Sequence, residues 1–109
     1  MADFVKVGKL SELEEGKIKA VVLAGEQVAL YKIGGEIFAT SNICTHEACE
    51  LAENGMIEEG DSVVECLCHG SHFKIKTGEV TSPPAAEPLR TYRVKVEEEE
   101  VFIELGNDL

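Results

Sequence analysis

The stretch Val28-Ala29-Leu30-Tyr31-Lys32-Ile33-Gly34-Gly35-Glu36-Ile37-Phe38-Ala39-Thr40 decides the fold class. Two strand-like runs flank a Gly-Gly pair. Both central residues of a two-residue hairpin turn take positive φ, which glycine accepts without steric cost, so Gly34-Gly35 predicts a tight antiparallel turn. Strands over residues 28–33 and 36–40 follow.

Outward from this hairpin, most of the chain alternates apolar and polar residues at period two between Gly, Asn and Asp, which is the strand signature. Further strands are expected at Phe4 to Val7, Ile18 to Leu23, Val63 to Glu65, Thr91 to Val96 and Val101 to Leu105. Ser11 followed by Glu14 resembles a capping box, so one helical turn is expected over Ser11 to Glu15. The acidic run Glu97 to Glu100 joins two strand-like segments and reads as a solvated hairpin turn. The class is therefore all-β. Between about residues 41 and 87 the periodicity weakens, and all four Cys and all three His fall between Cys44 and His72. A cofactor-bearing subdomain inserted between strands of one all-β domain is the natural inference.

The chain has 109 residues, enough for one domain and too few for a separate catalytic domain beside it. Asp and Glu number 21 against 10 Lys and Arg, a formal charge of −11, which makes nucleic acid a poor partner. Such a surface suits steering onto a basic patch of a larger protein, although solubility alone would also account for it. Met1-Ala2-Asp3-Phe4 does not read as an export signal, and no apolar run approaches the roughly 20 residues that span a bilayer. Cytoplasmic residence without membrane attachment is the expectation.

Two segments concentrate the reactive side chains: Cys44-Thr45-His46-Glu47-Ala48-Cys49 and Cys66-Leu67-Cys68-His69-Gly70-Ser71-His72-Phe73. Thiolate and neutral imidazole are the side chains that bind iron and zinc at neutral pH, and pairs two or three residues apart can converge from a tight loop. A disulfide framework is one reading of four Cys, but it leaves the adjacent His unexplained. A Cys₂His₂ zinc site is another. Usual zinc fingers, however, pair Cys with Cys and His with His, whereas here each segment sets a Cys close to a His, Cys44 with His46 and Cys66 with His69. That mixed pairing is what a Rieske centre requires, with two Cys on one iron and two His on the other. No nucleophile with an orienting base is evident, so catalysis by this chain alone is not expected.

The pattern Cys44-x-His46 with Cys66-x-x-His69 resembles the Rieske [2Fe-2S] family. The run His69 to Phe73, the turn Thr77-Gly78-Glu79, and the proline loop Ser82-Pro83-Pro84-Ala85-Ala86 before Pro88-Leu89 are similar to that family as well. The resemblance implies a Rieske-like antiparallel β-sandwich over residues 1 to 109, a cluster-binding subdomain at about 41 to 87, and one [2Fe-2S] cluster. It implies Cys44 and Cys66 on the inner iron, His46 and His69 on the outer. His72 lies beyond the matched ligand position and reads as a partly exposed loop residue, and Glu47 as a solvated one.

Cys49 and Cys68 depart from the simplest oxygenase ferredoxins and look like the respiratory and photosynthetic Rieske proteins, whose second and fourth Cys form a disulfide between the two loops. The resemblance implies that bridge here, although cytosolic disulfides are unusual and Leu67 replaces a common proline. Ser71 occupies the position whose hydroxyl donates to the cluster, Phe73 stands where high-potential members often have Tyr, and Pro83 and Pro84 belong to the covering loop. Donated hydrogen bonds raise the potential of a Rieske centre within a range of roughly −150 to +300 mV. A value between those of oxygenase ferredoxins and respiratory proteins is expected. The implied function is a ferredoxin passing single electrons from a reductase to a ring-hydroxylating-type oxygenase. The competing readings are a subunit of a respiratory or oxidase-type complex and a zinc-stabilised binding module.

Overall fold

The computed structural model describes residues 3–23, 25–44, 49–58, 63–68, 70–83 and 87–105. Its strands are β1 (Asp3–Lys9), β2 (Ile18–Leu23), β3 (Glu26–Ile33), β4 (Glu36–Ser41), β5 (Gly55–Ile57), β6 (Val63–Cys66), β7 (Ser71–Lys74), β8 (Val80–Ser82), β9 (Thr91–Tyr92), β10 (Val94–Glu97) and β11 (Glu100–Leu105). One short helix, α1 (Leu51–Asn54), and a 3₁₀ turn (Leu10–Glu12) complete the described elements. The strands form three antiparallel sheets, β1-β11-β10, β2-β3-β4-β9 and β5-β6-β7-β8.

The second sheet is a middle layer, and β3 shows why. Val28, Ala29, Leu30 and Tyr31 are all buried in succession, which a strand achieves only when both of its faces are covered. Val28 and Leu30 pack with Val101 and Ile103 of the first sheet. Ala29 and Tyr31, pointing the other way, pack with Val64, Phe73 and Ile75 beside the third sheet. The Gly34-Gly35 turn that sets this register has φ of 61° and 84°, and the Glu15 carboxylate accepts hydrogen bonds from both amides.

Several expectations shift. The helical turn sits at Leu10–Glu12, one residue early, because Glu12 rather than Glu14 reaches back to an amide, that of Lys9 at 3.1 Å. The predicted strand over Thr91 to Val96 divides at Arg93, β9 pairing with β4 and β10 with β11. The acidic hairpin forms with Glu97 opposite Glu100, and its two central residues, Glu98 and Glu99, take φ of 49° and 68°. Non-glycine residues there carry strain, and the turn is held by the Leu10 amide donating to the Glu99 carbonyl at 2.8 Å. The weak periodicity after residue 41 conceals three of the four strands of a third sheet, β5, β7 and β8, each three or four residues long, whereas β6 answers the strand expected at Val63 to Glu65. A strand that short completes too few periods for alternation to register.

Candidate metal centre

The first loop grows out of β4. Past Ser41 the chain runs through Asn42 to Ile43, which bridges antiparallel to Glu50, and the Cys44 amide donates to the Cys49 carbonyl at 2.9 Å. These contacts close the segment at its neck, with Cys44 and Cys49 facing each other there. Thr45, His46, Glu47 and Ala48 lie outside the described residues.

The second loop turns β6 back into β7. Cys66 stands opposite Ser71, and the Gly70 amide donates to the Cys66 carbonyl at 2.8 Å. Gly70 has φ of 84°, left-handed backbone that a side chain would strain, so the tight return needs glycine. His69 lies outside the described residues. Leu67, in the place of a proline, is exposed and keeps an amide that donates to the Asn54 carbonyl at 2.7 Å, a bond proline cannot make.

A disulfide between Cys49 and Cys68 joins the loops, with Cα atoms 6.7 Å apart. Cys44 and Cys66 both remain thiols, buried to 3% and 1% exposure. The Cys66 sulfur lies within 4.8 Å of both bridged sulfurs. Ser71 and Phe73 are fully buried, Pro83 is exposed in the turn after β8, and Pro84 is outside the described residues. Below the first loop, Tyr31 and Thr40 share a hydrogen bond of 2.7 Å, and the Thr40 hydroxyl donates to the Ser41 carbonyl at 2.8 Å, leaving the Tyr31 O–H as the donor to Thr40. Burial pushes the Tyr31 phenol well above its ordinary value, against the lesser opposing effect of that bond.

His72 proves to be a strand residue, not a loop one. Its Nε2 lies 2.9 Å from Glu58 and 3.8 Å from Glu65, its cross-strand neighbour. Successive residues of a strand point to opposite faces, so this trio faces away from Cys66 and Ser71. What the sequence did not reveal is Asn42, buried and hydrogen-bonded at the root of the first loop. Its only signal is an amide side chain placed two residues before Cys44, and nothing in the periodicity says where that side chain points.

Two buried thiols at the necks of two loops tied together form a donor set suited to iron, and it fits the cysteine half of a [2Fe-2S] cluster. The model of the Rieske [2Fe-2S] domain matches residues 3–93. This chain belongs to that family. A Rieske domain carries one Rieske-type cluster, which displaces the zinc reading of the same residues, and a purely disulfide framework is ruled out by the thiols of Cys44 and Cys66.

Among Rieske relatives, the biphenyl dioxygenase ferredoxin subunit of Pseudomonas sp. (strain KKS102) is 38% identical over 103 residues, 94% of this chain and 93% of that one. The ferredoxin of carbazole 1,9a-dioxygenase from Nocardioides aromaticivorans IC177 superimposes with a TM-score of 0.87 at 30% identity, covering 92% of this chain and 95% of that one. A chain from a complex of reduced oxygenase and oxidized ferredoxin in carbazole 1,9a-dioxygenase matches with a TM-score of 0.82 and 34% identity, over 91% and 99%. Among the described residues no helix is long and apolar enough to cross a membrane.

Proposed function

We propose that this chain is the ferredoxin of a ring-hydroxylating-type oxygenase system, a single domain of residues 1 to 109 that takes one electron at a time from a reductase and hands it to a terminal oxygenase in the cytoplasm. In this reading Cys44 and Cys66 hold one iron, and His46 and His69 the other, within a cluster-bearing subdomain of about residues 41 to 87. The observation that carries it is the arrangement of the two loops. Each bears one thiol and one imidazole in sequence, each is closed at its neck, and the disulfide ties them together.

When bound, the cluster supplies one reversible oxidation step. The chain's own residues do the remaining work: the buried Cys44 and Cys66 keep the sulfur ligands from water, and Ser71, buried opposite Cys66, is in register to modulate the potential. The charge of −11 favours encounter with a basic surface on either partner. Ferredoxin relatives that match over nearly their whole length, one of them in complex with its oxygenase, support the same reading.

The test joins spectroscopy and reconstitution. The purified protein should give a rhombic EPR signal on reduction, His46→Ala and His69→Ala should each abolish it, and the intact protein should carry electrons from a reductase to the terminal component of an aromatic dioxygenase. A signal that survives either histidine replacement, or an oxygenase that stays oxidised, refutes the proposal. The disulfide favours a second reading, a Rieske subunit of a respiratory or oxidase-type complex, because it resembles the loop bridge of those proteins. Redox titration separates the two, since the ferredoxin reading expects an intermediate potential and the respiratory reading one toward the upper end of roughly −150 to +300 mV.

A further inference from the structure

Helix α1 lies between the two loops, and its first turn is capped from a distance. Initial backbone amides of a helix have no partner within it, and a side chain at the N-cap usually satisfies one. Here the N-cap residue, Glu50, makes no such side-chain bond. Asn42, ten residues before Ala52, supplies it instead: its Oδ1 accepts from the Ala52 amide at 2.8 Å, and its carbonyl accepts from the Leu51 amide at 2.7 Å.

The other end of Asn42 is anchored to the middle sheet. Its Nδ2 donates to Gln27 Oε1 at 3.2 Å, and its amide donates to the Gln27 carbonyl at 3.0 Å. The Asn42 side chain is fully buried, so its own end of each bond is withdrawn from competing water. At the far end of α1, the Asn54 carbonyl accepts from Leu67 inside the second loop, and Gly55 pairs with Cys66. Gly55 is obligatory for this approach, since a Cβ there would meet the Leu51 carbonyl oxygen at 2.5 Å.

A continuous route therefore runs from Gln27 through Asn42 and α1 to the residues on either side of the Cys66 peptide. It joins the root of the first loop to the second without using the disulfide. We propose that Asn42 is a positioning residue for the cluster, holding the Cys44 loop and the Cys66 loop at a fixed separation through α1, in parallel with the Cys49–Cys68 bridge. This rests on the ligand assignment proposed above.

The test uses the intact cluster-loaded protein. Asn42→Ala should shift the EPR g values and the midpoint potential, and should lose its cluster to a chelator about tenfold faster, the rate equivalent of about 1.4 kcal/mol. Asn42→Asp, which keeps the acceptor for Ala52, should fall between wild type and alanine, and it decides on the same readouts if the alanine variant does not fold. Val101→Ala, in the core remote from the loops, serves as the control: it should lower the melting temperature and leave g values and potential unchanged. In a Cys49→Ser/Cys68→Ser background Asn42→Ala should speed cluster loss by a larger factor than it does in the wild-type protein, because two parallel ties are then both gone. Asn42 variants that melt earlier with wild-type g values, potential and chelator resistance would overturn the inference. That failure is distinct from a failure of the ligand assignment, which would appear as a signal persisting in His46→Ala or His69→Ala.

Discussion

The two cores on either side of the middle sheet differ in kind. The buried residues of the one shared with the first sheet are all hydrocarbon, among them Val28, Leu30, Ile37, Val101 and Ile103. The one shared with the third sheet mixes Tyr31, Leu51, Val64 and Phe73 with the thiols Cys44 and Cys66. The described residues that are polar and fully buried, Thr40, Asn42 and Ser71, adjoin this second core through Tyr31, α1 and Cys66 respectively. Hydrophobic burial suffices to hold the first. The second is organised for a metal group whose binding energy becomes part of its folding energy.

The sharpest way to break that contrast is to remove one proposed ligand. Cys66→Ser should abolish the cluster, and hydrogen exchange should then show protection collapsing across β5, β6, β7 and β8 while β1, β10 and β11 keep theirs. Uniform loss through all three sheets would erase the distinction. On the hydrocarbon side, Ile103→Ala should cost about 2 to 5 kcal/mol in urea unfolding of the loaded protein and leave its EPR spectrum unaltered.

Gly78→Ala should cost about 2 kcal/mol by the same measurement, because Gly78 has φ of 81° and a Cβ there would fall 2.0 Å from the Leu89 carbonyl oxygen. That substitution should also speed cluster loss, since Gly78 and Leu89 close the segment that carries the proline loop, the Leu89 amide donating to the Gly78 carbonyl at 2.8 Å.

The smallest effect is one of pH. The buried Tyr31 phenol titrates well above its ordinary value near 10, so in the folded protein it stays neutral where the unfolded chain ionises. Its contribution to stability is therefore complete below about pH 10 and declines as pH rises above it. Tyr31→Phe should flatten the fall in melting temperature above that pH. An equally steep fall in the phenylalanine variant would show that other groups cause it.

The long strands were legible because six to eight residues leave a clear trace, an alternating one in β2 and β11 and an unbroken apolar run from Val28 to Tyr31 in β3. The proposed ligand segments stood out for a different reason, the chemistry of thiol and imidazole at short spacing. Between these lay what local pattern cannot carry. Strands β5, β7 and β8 are too short to show a period, and α1 is a single turn whose cap comes from Asn42, so no start signal stands where the helix starts. The misplaced helical turn had the same origin, two overlapping box patterns, Lys9 with Glu12 and Ser11 with Glu14, and only geometry to choose between them. His72 looked like loop because its strand partner, Glu65, reveals itself only once β6 and β7 are paired.

The uninterrupted burial of β3 makes it a party wall between unlike rooms. A slip of one residue that set Ala29 and Tyr31 in the places of Val28 and Leu30 would thrust a phenol into a space shaped for an isobutyl group and bring the Lys32 ammonium where the ring had been. Misalignment is thus penalised twice over, once in each room, and the strand carries its own check on assembly.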